Sequence, residues 1–288
     1  STGASVVAVE LLDAVNVLPE VVRANGYSDR VQVYRGDIRE VELEPFDLVI
    51  SDLRGNVPLF GDNVDVLAYV HRHLLKAGGV LLPFRDEIRA AMVSLPERFE
   101  RAVRPWQSLD SHDWSAYRRL ALAAPTRIQE VPGHAVISEA VTIATINYHD
   151  LDSLALRKHR FKGTVAATKA GDAHGFIVWF DALITEDIGF TTEPGEATPT
   201  YGRKFLPFQS PVALTVGDEI DVSIATLRVD DDWQWQWQTG RGQDRQMQSS
   251  LDALPLVAGD LAQVYGAAMG PSEGGGSNDP APSVQRLL

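Results

Sequence analysis

Three acidic residues follow three short apolar runs, and their chemistry points to a nucleotide-like ligand. Glu10 closes the run Ser5-Val6-Val7-Ala8-Val9, Asp37 follows Val31-Gln32-Val33-Tyr34, and Ser51-Asp52 follows Phe46-Asp47-Leu48-Val49-Ile50. A carboxylate at the end of a buried strand can accept two hydrogen bonds from ribose hydroxyls, which suits Glu10. Asp37 can accept from an adenine amino group, with Ile38 against the ring face, and Ser51 and Asp52 point at the same crevice. In open parallel sheets ligands lie beyond the carboxyl ends of strands. Each acid also has an ordinary alternative, a helix N-cap or a solvated turn.

The elements that must position these acids alternate in type. After Glu10 a helical spacing of Leu12, Val15, Leu18 and Val22 ends at Asn25-Gly26. A second helix is expected from about Val64 to Lys76, and Gly78-Gly79-Val80-Leu81-Leu82-Pro83 opens another strand. This rhythm implies a parallel, doubly wound sheet. No glycine-rich turn precedes Glu10, since only Ser1-Thr2-Gly3-Ala4 lies upstream. A sheet starting at that point lacks a central strand and leaves an apolar face open. The 288 residues by themselves are therefore expected to bind a cofactor weakly and to be inactive.

After Arg85 the period changes. Ala135 to Tyr148, Phe161 to Ala167, Gly175 to Ile184 and Glu219 to Leu227 read as short strands, separated by turns such as Val216-Gly217-Asp218. Many short strands in succession imply an antiparallel sandwich or barrel. A more helical stretch, Trp106 to Arg127, carries Trp106, Trp114 and Tyr117. Trp233-Gln234-Trp235-Gln236-Trp237 puts three indoles on one strand face. That face is either an aromatic binding surface or structural, packed in the core or against the arm. From about Gln243 the pattern weakens, and the glycine-, serine- and proline-rich end has linker composition.

Composition excludes several chemistries. There is no cysteine, so disulfides, thiolate metal sites and cysteine nucleophiles are ruled out. His71 and His73 lie two apart on a helix, and no metal-ligand spacing appears. The net charge of −13 argues against a nucleic-acid binder. No apolar run approaches the length of a membrane span and no signal sequence is visible, so no membrane association and a cytoplasmic location are expected.

From Gly3 to Trp237 the chain resembles the protein arginine methyltransferases. The segments that carry the resemblance are Gly3 to Glu10, Gly36-Asp37-Ile38, Gly78 to Pro83, Gly175-Phe176-Ile177-Val178-Trp179-Phe180-Asp181, Gly189 to Pro194 and Val216 to Ile220. The resemblance implies a Rossmann-like S-adenosylmethionine-binding part, incomplete at its N-terminus, over residues 1–84. An antiparallel β-barrel over 85–242 follows, with a helical dimerisation arm at about 104–131, and then a partly flexible extension over 243–288. It implies S-adenosylmethionine as cofactor, with Glu10, Asp37, Ile38 and Ser51 around it. It implies a homodimer formed through the arm, and a protein, peptide or small-molecule methyl acceptor. The family's two acceptor glutamates correspond to Asp52 and to Gly61, beside Asp62, and Tyr201 stands where a histidine is expected. Arg39 replaces an expected glutamate, and Arg54 adds positive charge to a loop that should receive a cation. A guanidinium prefers paired carboxylates, so the acceptor need not be arginine. The other reading is a non-catalytic relative that keeps the fold for binding or dimerisation.

Overall fold

A computed structural model describes residues 3–107, 111–151, 158–197, 200–229 and 232–252. The N-terminal part holds strands β1 (Val6–Glu10) and β2 (Val31–Arg35), joined by a 3-10 turn and helix α1 (Leu18–Ala24). It continues through β3 (Phe46–Ile50), helix α2 (Asn63–His73) and β4 (Leu75–Leu82). Both connections are right for parallel pairing, and both pairs are parallel: β1 with β2, β3 with β4. The single doubly wound sheet expected from the sequence is instead two separate two-stranded sheets. Their apolar surfaces are open: Val6 is 47% exposed, Leu48 49%, Ile50 73% and Val80 46%.

The two helices of this part differ in what they cover. On α2, Val66, Leu67 and Val70 recur at helical spacing and are buried with Val64, while His71, Arg72 and His73 complement the carbonyl end of the helix. The apolar side of α1 and its approach has no such cover, since Leu12, Val17 and Val21 are exposed and only Val15 is buried.

The rest of the chain is antiparallel. Strand β5 (Arg85–Val93) leads into helices α3 (Pro96–Val103) and α4 (Ser115–Leu122), then β6 (Thr126–Ile128) and β7 (Val141–Asn147). There follow β8 (Lys158–Ala166), β9 (Gly171–Leu183), β10 (Gly189–Thr191), β11 (Arg203–Leu214), β12 (Glu219–Val229), β13 (Asp232–Arg241) and β14 (Asp244–Ser249). One sheet runs β6-β11-β9-β5-β7 with β10 beside β9, and the other runs β14-β13-β12-β8. Among the described residues no ladder closes the two into a barrel; they share one core instead. Ile88, Phe176, Phe180 and Leu206 from the first sheet meet Ile220, Val222, Ile224 and the indoles of β13 from the second. Strand β9 is buried on both faces because its other side, Ile177 and Trp179, packs with Ala91, Val93, Val131 and Phe205. Strand β14 continues the second sheet past the boundary expected near 242. The linker-like end beyond residue 252 lies outside the described residues.

Gly175 shows how closely β9 and β11 approach. A Cβ there would sit 2.4 Å from the Leu206 carbonyl oxygen and 2.6 Å from the Phe205 ring, so no larger residue fits.

The segment expected as the arm, about 104–131, holds a 3-10 turn at Arg104–Trp106, α4 and strand β6, with α3 just before it and residues 108–110 outside the described set. Phe99, Val103 and Leu122 join the two helices. Trp106 stacks on Tyr117 at 5.5 Å, and Trp114 lies 5.5 Å from the same ring. The aromatics therefore pack on one another within the chain. Arg118 ties α4 to β11 by donating to the Gln209 carbonyl at 2.9 Å.

Candidate functional site

The loop after β3 and the segment before β11 meet, although they are far apart in sequence. Tyr201 Oη donates to Asp52 Oδ1 at 2.6 Å across 149 residues. The Tyr201 ring stacks on Phe190 at 5.3 Å with planes 10° apart, and meets Phe180 edge-on at 5.3 Å. Burial, and then the hydrogen bond to Asp52, push the Tyr201 phenol up to about 12. Asp52 itself is exposed. Two residues expected at the acceptor side thus form one polar contact backed by aromatic rings.

Beneath them lies a buried polar network that the sequence reading did not identify. Arg54 Nε donates to Asp86 Oδ2 at 2.7 Å, Tyr148 Oη donates to the same oxygen at 2.7 Å, and Asn63 Nδ2 donates to Tyr148 Oη at 2.9 Å. All four residues are buried. Burial is the largest influence on the Asp86 carboxyl and raises it, while Arg54 and Tyr148 act against it. The Asp86 carboxylate in turn holds the Arg54 guanidinium protonated despite burial. One signal for this network was available: alternation along β5 places Asp86 on the same inward face as Ile88, Ala90 and Met92. A charge at a core position requires a partner.

The loop is fixed from below by the indole run. Trp235 Nε1 donates to the Leu59 carbonyl at 2.9 Å and Trp233 Nε1 to the Gly61 carbonyl at 2.9 Å, while Trp237 Nε1 donates to Pro207 at 2.8 Å. Phe60 stacks on Trp235 at 4.4 Å, almost parallel, with Lys204 Nζ 4.8 Å from the Phe60 ring centroid. Of the two readings open for these tryptophans, core packing holds. The polar edges of two of them also anchor the loop that carries Asp52 and Asp62.

The cofactor-side residues are less convergent. Glu10 stands at the end of β1, and its Oε1 accepts from the Leu12 amide at 2.8 Å. Gly36 brings the end of β2 beside it, since the Gly36 amide donates to the Glu10 carbonyl at 3.1 Å. Asp37 is already engaged: Oδ1 accepts from the Arg39 backbone amide and from Arg39 Nε, each at 2.9 Å. That side-chain contact is the main reason the Asp37 carboxyl lies below the usual carboxylate range. Arg39 Nη2 also donates to Asp62 Oδ2 at 3.1 Å, so it bridges the two parallel pairs. Asp62 makes no side-chain cap to α2, the ordinary alternative for such a residue. Ile38 is half-buried against the main core. Ser51 Oγ is buried without a hydrogen-bond partner. Asp37, Arg39 and Asp62 therefore form one group and Asp52 and Tyr201 another, with Glu10 in neither.

These residues fit a nucleoside-bearing cofactor at two points. Glu10 keeps a second carboxylate oxygen at the carboxyl end of one parallel pair, and the orphaned Ser51 hydroxyl follows β3 of the other. Among the described residues no group of histidine and acidic side chains is arranged to hold a metal ion.

Comparison with known proteins places the fold. The profile of the arginine methyltransferase oligomerization subdomain matches residues 86–239, more than half of the 288. A probable protein arginine N-methyltransferase 1.2 of Arabidopsis thaliana is 24% identical over 77% of this chain and 61% of its own length. A probable protein arginine N-methyltransferase 6 of the same plant is 30% identical over 61% of this chain and 41% of its own. The chain thus spans less than two thirds of the length of these relatives. Among solved structures, the PRMT1 enzyme-prozyme heterotetrameric complex with AdoHcy from Trypanosoma brucei superposes with a TM-score of 0.73 at 18% identity, covering 85% of this chain and 83% of that one. An open conformation of Arabidopsis thaliana protein arginine methyltransferase 10 gives 0.69 at 17% identity, over 85% and 82%. The fold is shared with both, and by its oligomerization subdomain the chain belongs to the protein arginine methyltransferase family.

Proposed function

We propose that this chain carries the acceptor side and part of the cofactor side of an S-adenosylmethionine-dependent methyltransferase of the arginine methyltransferase type. The observation that carries the reading is the contact of Asp52 with Tyr201, in a loop held rigid by Trp233 and Trp235. Methyl transfer is largely a positioning problem, and a rigid polar pair backed by aromatic rings is a positioning device. When bound, S-adenosylmethionine supplies an electrophilic methyl group on a sulfonium sulfur. Glu10 would hold the ribose hydroxyls and Ser51 would donate to the cofactor from the next strand end. Asp37 would take the adenine amine only after giving up Arg39. Asp52 and Tyr201 would orient the acceptor, with Asp62 at the far end of the loop. The acceptor is a protein, peptide or small molecule.

The family's oligomerization subdomain supports association, which we read as a homodimer through the arm at about 104–131, and we read the two antiparallel sheets as the counterpart of the expected barrel. A second reading, a non-catalytic binding or dimerisation module, is favoured by one observation: Arg39 and Arg54 already engage or face the site's acids.

Calorimetric titration with S-adenosylhomocysteine tests the proposal. Weak but saturable binding is expected, lowered about tenfold or more in Glu10→Ala, as loss of a charge-assisted hydrogen bond of roughly 1.5–3 kcal/mol implies. Binding indifferent to Glu10 would place the cofactor elsewhere. Methyl transfer to any acceptor would exclude the second reading.

A further inference from the structure

The loop that should receive an acceptor holds a guanidinium of its own. The Arg54 side chain is only 2% exposed, and its Nη1 lies 3.7 Å from Asp52 Oδ1. Its guanidinium carbon is 5.8 Å from the Phe180 ring centroid and 5.9 Å from that of Phe190. Phe190 is stacked on Tyr201, whose hydroxyl holds Asp52. On the inner side Asp86 takes Nε, and Nη2 is buried with no hydrogen-bond partner. Two carboxylates and two aromatic faces are the surroundings that bind a cation, and here the cation comes from the chain itself. The loop's other acid is treated alike, since Arg39 reaches Asp62 at 3.1 Å.

A box already filled in this way cannot attract a second cation. Arg54 offsets one of the two carboxylate charges and repels like charge at close range. Its own removal is opposed by Asp86, which would be left charged and buried. We infer that Arg54 is a specificity-determining residue: it fills the cation box beside Asp52 and Tyr201 from within, so that the acceptor group taken by this site carries no positive charge. The inference rests on reading the loop from Ser51 to Asp62 as the acceptor side of a methyl-transfer site.

The test compares two blocked pentapeptides, Gly-Gly-Arg-Gly-Gly and the same peptide with uncharged citrulline for arginine. Each is titrated into the 288-residue chain and followed by the backbone amide shifts of residues 51–62 and 200–203. The unaltered chain is expected to show no preference for arginine over citrulline. In the double variant Arg54→Met with Asp86→Asn, which removes both buried charges together, arginine should be preferred at least tenfold. A folded double variant with no such gain overturns the inference. So does a tenfold arginine preference in the unaltered chain that Asp52→Asn abolishes, and that arm decides the question even if the double variant does not fold. S-adenosylhomocysteine titrated into the same samples reports on the cofactor separately: its failure to bind, with the charge preference as expected, would sink the methyl-transfer reading and leave the charge selection standing.

Discussion

Tyr201 and Asp52 share one hydrogen bond, and its consequence can be measured at a single proton. Burial comes first among the causes that raise the Tyr201 phenol to about 12, and the bond to Asp52 second. Asp52→Asn removes the second cause and keeps the first. The phenol should then fall but stay above the ordinary value of about 10. The difference in tyrosinate absorbance between Asp52→Asn and Asp52→Asn with Tyr201→Phe isolates that one ring, and an unmoved titration would mean that the contact does not form in solution. The Arg54–Asp86 pair gives a second prediction at the same scale. Asp86→Ala leaves a buried guanidinium without its anion and should cost about 3–5 kcal/mol by urea denaturation. Arg54→Met with Asp86→Asn should cost much less, because neither charge remains. Equal losses would show that the pair contributes packing rather than charge compensation.

At the scale of elements, the indole run and α3 make separate demands. Trp235→Phe keeps the ring against Phe60 but leaves the buried Leu59 carbonyl without its donor. That should cost about 1–3 kcal/mol. Amide exchange should speed up at residues 57–61 well before it does in β9. Helix α3 rests on His174, whose Nδ1 accepts from the Leu95 amide at 3.2 Å and whose ring lies 5.5 Å from Phe99. Burial holds the His174 imidazole below its ordinary value, with Asp172 and Glu100 acting weakly the other way. A depressed value means that the stabilisation is present above about 6.5 and is lost as pH falls from there through the folded value. The urea midpoint should therefore drop between pH 7.5 and 5, and His174→Gln should flatten that drop. An unchanged pH dependence in the variant would exclude His174 as its source. Strand periods were legible in the sequence because burial on one face writes itself as alternation: β12 and β13 follow it closely, and α2 shows its helical spacing equally plainly. The polar network was not legible. Arg54, Asn63, Asp86 and Tyr148 come from four different segments, and only Asp86 breaks a local pattern. At Asp37 the strand-end position does not disclose that Arg39, two residues on, already holds the carboxylate.

The molecule as a whole is uneven in how well its parts are held. The two antiparallel sheets share a continuous core, whereas β1–β2 and β3–β4 are two-stranded pairs joined side chain to side chain by Arg39. An isolated two-stranded sheet is marginal in water, and here Leu11, Leu12, Val17, Val21 and Ile50 remain exposed around it. Local opening should therefore cost least in residues 6–35 and most in β5, β9 and β11, and hydrogen exchange should show that order. The same unevenness makes the cofactor proposal visible without an activity assay. A ligand that binds only the closed form stabilises it by RT ln(1 + [L]/Kd), about 1.4 kcal/mol at ten times Kd. S-adenosylhomocysteine held by Glu10 on one pair and Ser51 on the other should slow exchange in β1, β2 and β3 together by roughly tenfold, leaving β9 and β11 unchanged. Arg39→Ala should weaken the coupling between the pairs, so that protection gained at β1 no longer reaches β3. Protection confined to the antiparallel sheets would move the cofactor away from the strand ends. Protection of β1 and β2 alone would keep Glu10 in its role and remove Ser51 from it.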